Sequence, residues 1–130
     1  MSSRLTIVNP PELGAPRGFA HGVIAPLAVR MLFVAGQTAG NATTPFAQQF
    51  EAALARVVTV VRAAGGRPEH VARMTVYVTD MNAYRTSRSS LGDVWRQHMG
   101  SHYPAMSLVA VTALVEEHAM VEIEATAVLP

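Results

Sequence analysis

The sequence predicts an α+β fold: a sheet of about six strands with two helices packed on one face. Two observations carry that prediction. Hydrophobic residues recur with period two in several short runs and with a period near 3.6 in two longer ones, in the order β, ββ, α, β, α, ββ. The length of 130 residues suits one core and is short for two, and no repeat, low-complexity tract or Gly/Ser linker divides it. Residues 1–130 are therefore expected to form a single domain.

Taken in order, "LTIV" at Leu5 to Val8 suits a short strand, and the following "NPPELGAPRG" is too rich in turn residues to continue it. "FAHGVIA" from Phe19 and "RMLFVAG" from Arg30 are β-rich runs split by Pro26 to Val29, which predicts an antiparallel hairpin ending at Gly36. A loop, "QTAGNATTP", follows. From Pro45 to Ala64, Phe46, Phe50, Leu54, Val57 and Val61 recur at three- and four-residue steps and form one apolar helix stripe. Thr44 before Pro45 reads as an N-cap followed by an N1 proline, and Gly65-Gly66 reads as the stop. In "RMTVYVTD", Met74, Val76 and Val78 alternate with Arg73, Thr75, Tyr77 and Thr79, so one strand face lies under a helix and the other meets a more polar environment. A second helix is predicted from about Tyr84 to Met99, with Tyr84, Arg88, Leu91 and Trp95 on one face, an arginine interrupting the apolar seam. "MSLVAV" and "MVEIEATAV" close the chain as strands on either side of a polar turn around Glu116 to His118. In the last of them Val121, Ile123, Ala125 and Ala127 point one way, and Glu122, Glu124, Thr126 and Val128 the other. The sheet face opposite the helices must find other cover.

Composition narrows the function classes. Half the residues are hydrophobic and only 15% are charged, so the polar surface is thin for a monomer and a homo-oligomer is favoured. A net charge of +1 without a single lysine supplies no basic field, so nucleic acid is not an expected partner. The absence of cysteine excludes disulfides, thiol nucleophiles and thiolate metal sites. No apolar run is long enough for a membrane span or a signal-peptide core, which makes a soluble cytoplasmic protein the default and a membrane partner unexpected. Gly36 and the "AAGG" glycines read as turn and cap residues; with no GxGxxG or P-loop spacing, no cofactor is expected. His98 and His102 have the i,i+4 spacing of metal ligands, but Gly100 and Ser101 end the helix between them and no HExxH glutamate accompanies them, so no metal is expected. Ser107 has no recognisable general base and is not expected to act as a nucleophile.

"FAHGV", "FVAGQT", the helix followed by "AAGG", "MTVYVTDMNAY", "YPAMSLV" and "VEIEATAV" stand in an order that resembles the Rid family, also called YjgF, whose archetypes are reactive enamine/imine deaminases. The resemblance covers nearly the whole chain. It is carried most specifically by a Pro-Ala-X-Ser strand entry followed by Val-Glu-Ile-Glu-Ala. It implies a chorismate-mutase-like fold with a six-stranded mixed sheet, and a homotrimer whose uncovered sheet faces form a barrel-like core, with clefts between neighbouring subunits. In the deaminating branch, X is an arginine whose planar fork holds the carboxylate of a 2-imino or 2-enamino acid. The first glutamate of the closing motif, Glu122 here, positions the attacking water in that branch. An aromatic residue falls on Phe19 and an asparagine on Arg88. At X this chain has Met106, so the carboxylate clamp is missing from its usual place, and a cation stands where a neutral amide would be.

Each candidate has a plain structural alternative. Met106 is a gap-filling hydrophobe, or it makes a cleft receptive to a less anionic or more apolar ligand. Glu122 is a solvated strand carboxylate, or it faces the cleft as an acid or base. Arg88 snorkels, pairs with an acid such as Glu122 or Glu124, or binds a ligand anion in place of the missing strand arginine. His21 is a hydrogen-bonded structural residue or a cleft residue. Tyr103, three residues before Met106, and Ser107, directly after it, complete the ligand-binding candidates, with Phe19. Three functions are consistent with this set: hydrolytic deamination of an enamine or imine, or a related reaction, on a non-standard substrate with Glu122 as the catalytic residue; a non-catalytic trimer binding a small-molecule metabolite; and an endoribonuclease-like activity, which the charge disfavours.

Overall fold

The computed structural model describes residues 5–27 and 30–130. Strands β1 (Thr6–Val8), β2 (Gly22–Ile24) and β3 (Arg30–Gln37) precede helix α1 (Phe46–Ala63). Strand β4 (Val71–Val78), helices α2 (Met81–Thr86) and α3 (Arg88–Met99), and strands β5 (Ala105–Ala110) and β6 (Val121–Leu129) complete the chain. The fold is α+β with a mixed sheet, as expected. The strands of the main sheet lie in the order β3-β6-β4-β5, with β6 antiparallel to both neighbours and β4 parallel to β5. A parallel pair needs a long crossover, and α2 with α3 supplies it.

The six strands do not form one sheet, and the predicted hairpin is absent: β2 pairs with β1, Thr6 opposite Ile24, while β3 pairs with β6. The connection from Ala25 to Val29 offers no Gly or Asn for the positive φ of a tight hairpin turn, and its proline cannot donate to a ladder. Ala28 and Val29, the end of that connection, lie outside the described residues, as do residues 1–4. The β1-β2 ribbon is instead tied to the far edge of the main sheet. Ala20 makes a parallel bridge to Ala105, and its N–H donates to the Pro104 carbonyl at 2.9 Å.

The stripe of α1 behaves as its spacing predicts: Phe46, Phe50, Leu54, Val57 and Val61 are all buried, against Val76, Val78, Val121 and Ile123 of the sheet. Its start differs from the expected Thr44 cap. Pro45 is itself the N-cap residue, its carbonyl accepting from the Gln48 and Gln49 N–H groups, and no side chain caps the helix. The extended backbone that proline favours puts it outside the first turn. Gln49 is the buried polar residue of the helix: its amide donates to the carbonyls of Thr44 (3.0 Å) and His118 (3.3 Å), and its Oε1 accepts from the Met120 N–H (2.9 Å). One side chain thus fastens the loops before α1 and before β6. At the other end, Gly65 takes φ +89°, a left-handed conformation that ends the helix.

The second predicted helix is two helices, broken at Ser87. Thr86 and Ser87 turn their hydroxyls back onto the carbonyls of Asn82 and Ala83, and the Ser87 N–H bonds to Tyr84 three residues back rather than four. Hydroxyl residues compete with helix bonds in this way. Asp80 caps α2 through the Ala83 N–H at 3.1 Å. Gly36, expected at a turn, lies inside β3 beside an irregularity between Val34 and Gln37.

Helices cover one sheet face. The other carries Phe33, 74% exposed, with Met31 and Val109, alongside the polar side chains of Tyr77, Glu122 and Glu124. No helix among the described residues is long and apolar enough to cross a membrane.

Candidate active site

The cleft that gathers most of the predicted residues lies between the α2-α3 pair and strand β5, on the helix-covered side. It holds a cavity of about 200 Å³, lined among others by Tyr84, Arg88, Leu91, Trp95, Tyr103 and Met106. A second hollow of about 280 Å³ adjoins it, sharing Tyr84, Met106 and Leu108 and adding Arg17 and Phe19. Strand alternation decides which β5 residues enter. Met106 lies opposite Met74, which is buried under the helices, so Met106 and Leu108 face the cleft while Ser107, opposite Thr75, faces the other way. The Ala20 bridge to Ala105 brings residues 17–20 alongside the start of β5 and sets Phe19 near Met106.

The walls are held rigidly. Trp95 stacks on Tyr103 with centroids 5.6 Å apart and planes 4° from parallel, and the indole N–H donates to the His102 carbonyl at 3.0 Å. Tyr84 meets the edge of Phe46 at 6.4 Å. Arg88, the first residue of α3, folds its guanidinium over the Tyr84 ring at 5.6 Å. The proposed pairing of Arg88 with Glu122 or Glu124 is not made: Arg88 has no ion-pair partner among the described residues. The sheet accounts for this: Arg88 lies on its helix-covered side, and both carboxylates stand on the other face. Arg17, which the sequence did not single out, lines the same cleft, and no carboxylate does. Only the bridge to Ala105 brings it there, a contact between residues far apart in sequence.

Phe19, Arg88, Tyr103 and Met106 therefore share one cleft, and three other candidates stand apart from it. Glu122 lies opposite Tyr77 on the uncovered sheet face, with Ser107, so within one chain the sheet separates it from Met106. The Glu122 side chain lies across Gly36, where an added Cβ would come within 2.7 Å of its carboxyl carbon. Its neighbour Glu124 accepts a hydrogen bond from the Tyr77 hydroxyl at 3.2 Å. Burial and that carboxylate hold the Tyr77 phenol above its usual range. His21 takes the structural alternative: its N–H donates to Asn9 Oδ1 at 2.8 Å and its Nε2 contacts the Gly14 carbonyl at 3.1 Å, fastening the turn-rich segment. Its ring packs edge-on against Phe19.

His98 and His102 are engaged separately, His98 with Glu51 at 3.1 Å and His102 with the Val71 carbonyl at 2.6 Å. No group of three metal-ligating side chains is gathered among the described residues.

The profile of a family described as Endoribonuclease L-PSP matches residues 12–129. A 2-iminobutanoate/2-iminopropanoate deaminase of Bos taurus is 32% identical over 120 residues, which span 88% of this chain and 84% of the bovine protein. Among solved structures, YyfB of Yersinia pestis, of the conserved Rid protein family, is 31% identical with a TM-score of 0.81, over 96% of this chain and 98% of its own. E. coli TdcF with bound serine is 30% identical with a TM-score of 0.69, over 90% and 92% of the two chains. A match over nearly the full length, with a shared fold and the Pro-Ala-X-Ser and Val-Glu-Ile-Glu-Ala motifs in place, shows that the chain belongs to the Rid (YjgF) family, the L-PSP family of the matching profile.

Proposed function

We propose that this protein hydrolyses a reactive imine or enamine to a carbonyl compound and ammonia, in clefts shared between adjoining copies of a homotrimer. The observation that carries the reading is the place of Arg88. Where the strand offers only Met106, a guanidinium from α3 enters the same cleft, and no carboxylate lines it to neutralise that charge. A substrate carboxylate takes the fork of Arg88, and Glu122 of an adjoining copy orients the water. The water oxygen bonds to the C=N carbon as one of its protons passes to the nitrogen, and its second proton follows as the C–N bond breaks, so that ammonia leaves as the carbonyl forms. Because the imine is already electrophilic, orientation supplies most of what the reaction needs. The bovine relative's name supports this reaction type.

A second reading, a trimer that binds a metabolite without turning it over, is favoured by two observations: Met106 cannot ionise, and Glu122 is outside the cleft within a chain. The endoribonuclease reading draws on the profile's description but meets a lysine-free chain of net charge +1.

Ammonia release from 2-imino acids generated in situ separates the first two. On small 2-imino acids the native rate is expected to be low, and Met106→Arg is expected to raise it. Arg88→Ala is expected to lower the rate through KM, and Glu122→Gln to lower kcat by about 10²-fold or more with KM kept. A native rate no faster than spontaneous hydrolysis with every imine tried, while ligand still binds, establishes the binding module instead.

A further inference from the structure

We infer that the cleft selects carboxylates carrying a bulky apolar body, of the arylalkyl or branched 2-imino acid class, with Arg88 and Arg17 holding the carboxylate and Met106 making room for the body. The reaction such a ligand undergoes rests on the deaminase reading; the recognition is read from the cleft itself.

Charge comes first. Arg88 and Arg17 reach the adjoining hollows from different elements, neither has an ion-pair partner among the described residues, and no acidic side chain lines either hollow. Two unopposed guanidiniums beside a low-dielectric wall favour an anion, and their planar forks suit a carboxylate. Arg88 is also oriented in advance by the Tyr84 ring, which reduces the side-chain freedom lost when an anion arrives.

The walls decide the rest of the ligand. Leu91, Trp95, Tyr103, Met106 and Leu108 are among the side chains around the cavity of about 200 Å³. A carboxylate of three or four carbons would leave that wall wet. An aromatic or branched body displaces its water, and the gain grows with the apolar area covered. An arginine at position 106 would bring a longer, charged side chain to the cavity that Met106 lines together with Trp95, Tyr103 and Leu108; the thioether is shorter and apolar. The substitution that removes the usual clamp thus also enlarges the apolar compartment.

The test uses unreactive analogues, so that binding is read apart from turnover, on the full-length protein by calorimetry and by the fluorescence of Trp95, the chain's sole tryptophan. The probes are 3-phenylpropanoate, propanoate and the neutral 3-phenylpropanamide. Phenylpropanoate is expected to bind at least about tenfold more tightly than either of the others. Arg17→Gln and Arg88→Gln, both at exposed positions, are each expected to weaken the acid about fivefold or more and to leave the amide unchanged. Met106→Arg is expected to tighten propanoate and weaken phenylpropanoate. Propanoate binding within about twofold of phenylpropanoate overturns the apolar-body assignment. Equal binding of amide and acid, or indifference of the acid to Arg17→Gln, overturns the paired clamp. Selective binding of phenylpropanoate without ammonia release from the matching imine sinks the deaminase reading and leaves the recognition intact. Ammonia release without that selectivity does the reverse.

Discussion

Glu122 owes its conformation to Gly36, because any larger residue at that position in β3 would drive a Cβ into the glutamate side chain. Gly36→Ala is therefore expected to displace the carboxylate while the fold holds. A displacement of about 1 Å in a water-orienting group corresponds to a loss of about 10²-fold in kcat. Unchanged kcat in a Gly36→Ala protein with a native circular dichroism spectrum would show that Glu122 needs no such positioning. His70 supplies a second test at this scale. Its ring is 2% exposed, Nδ1 accepts from the Arg67 N–H at 2.8 Å, and Nε2 finds no partner among the described residues. Burial lowers its pKa below the ordinary 6.5, and nearby Arg67 and His102 act in the same direction against the opposing Glu69 carboxylate. The folded protein thus binds this proton less readily than the unfolded chain. The contribution to stability is complete above about pH 6.5 and is lost as pH falls towards the lower folded-state value. Urea midpoints taken at about pH 7.5 and about pH 5.5 are expected to drop more for the native protein than for His70→Gln. Parallel curves would show that His70 does not couple folding to pH. Nothing in the sequence marks His70 as buried, because the 68–70 turn that buries it lies between elements and has no period to read.

The elements read most reliably from sequence are those whose period matches one buried face. The stripe of α1 and the alternations of β4 and β6 were legible because a helix or strand with one dry side must repeat its apolar residues at that spacing. Leu54, fully buried at the centre of the stripe, gives this a magnitude. Leu54→Ala is expected to cost about 2–5 kcal/mol, seen as a thermal midpoint lower by roughly 10 °C or more. A shift of only a degree or two would mean that α1 is not part of the cooperative core. What the period could not reveal is pairing. The β2-β3 hairpin was inferred from adjacency in sequence, whereas β2 finds β1 and leaves the β3 edge to β6, a choice made by long-range contacts. The break at Ser87 was hidden for another reason. The apolar positions on either side keep helical spacing, and only the hydroxyls of Thr86 and Ser87 carry the signal. The Arg88-glutamate pair fails for a different reason: the sheet lies between Arg88 and both carboxylates, and a helical period does not reveal which face of a distant strand a residue takes.

Across the whole molecule, the described residues leave one sheet face uncovered, and the proposed site depends on what covers it. Phe33 at 74% exposure, Met31 at 54% and Val109 at 42% stand on this face beside Glu122 and Tyr77. Burying a side chain the size of Phe33 contributes about 1.5–3 kcal/mol, so such a face is stabilised when copies of the chain assemble against it. Motif order in the sequence pointed to Phe19, Arg88, Tyr103 and Met106, which share the cleft, and equally to Glu122, Ser107 and His21, which do not line it. It could not show that Met106 and Glu122 lie on opposite faces, because strand alternation fixes each residue only relative to its own strand. For the proposed deamination, that separation makes assembly a requirement. If Glu122 serves the cleft, it serves the cleft of another copy, and a variant that cannot assemble must lose turnover while each chain keeps its own Arg88, Tyr84 and Met106. Phe33→Asp places a charge on the β3 edge of the uncovered face, where burying it would cost several kcal/mol per copy. Sedimentation is expected to show the native protein at three times its 13.9 kDa chain mass and Phe33→Asp as a smaller species. The variant is expected to retain a native circular dichroism spectrum and to release ammonia at no more than the spontaneous rate. A native protein that sediments as a single chain, or a Phe33→Asp monomer with native kcat, would rule out a cleft completed by a second copy and return the search for the water-orienting group to the helix-covered side.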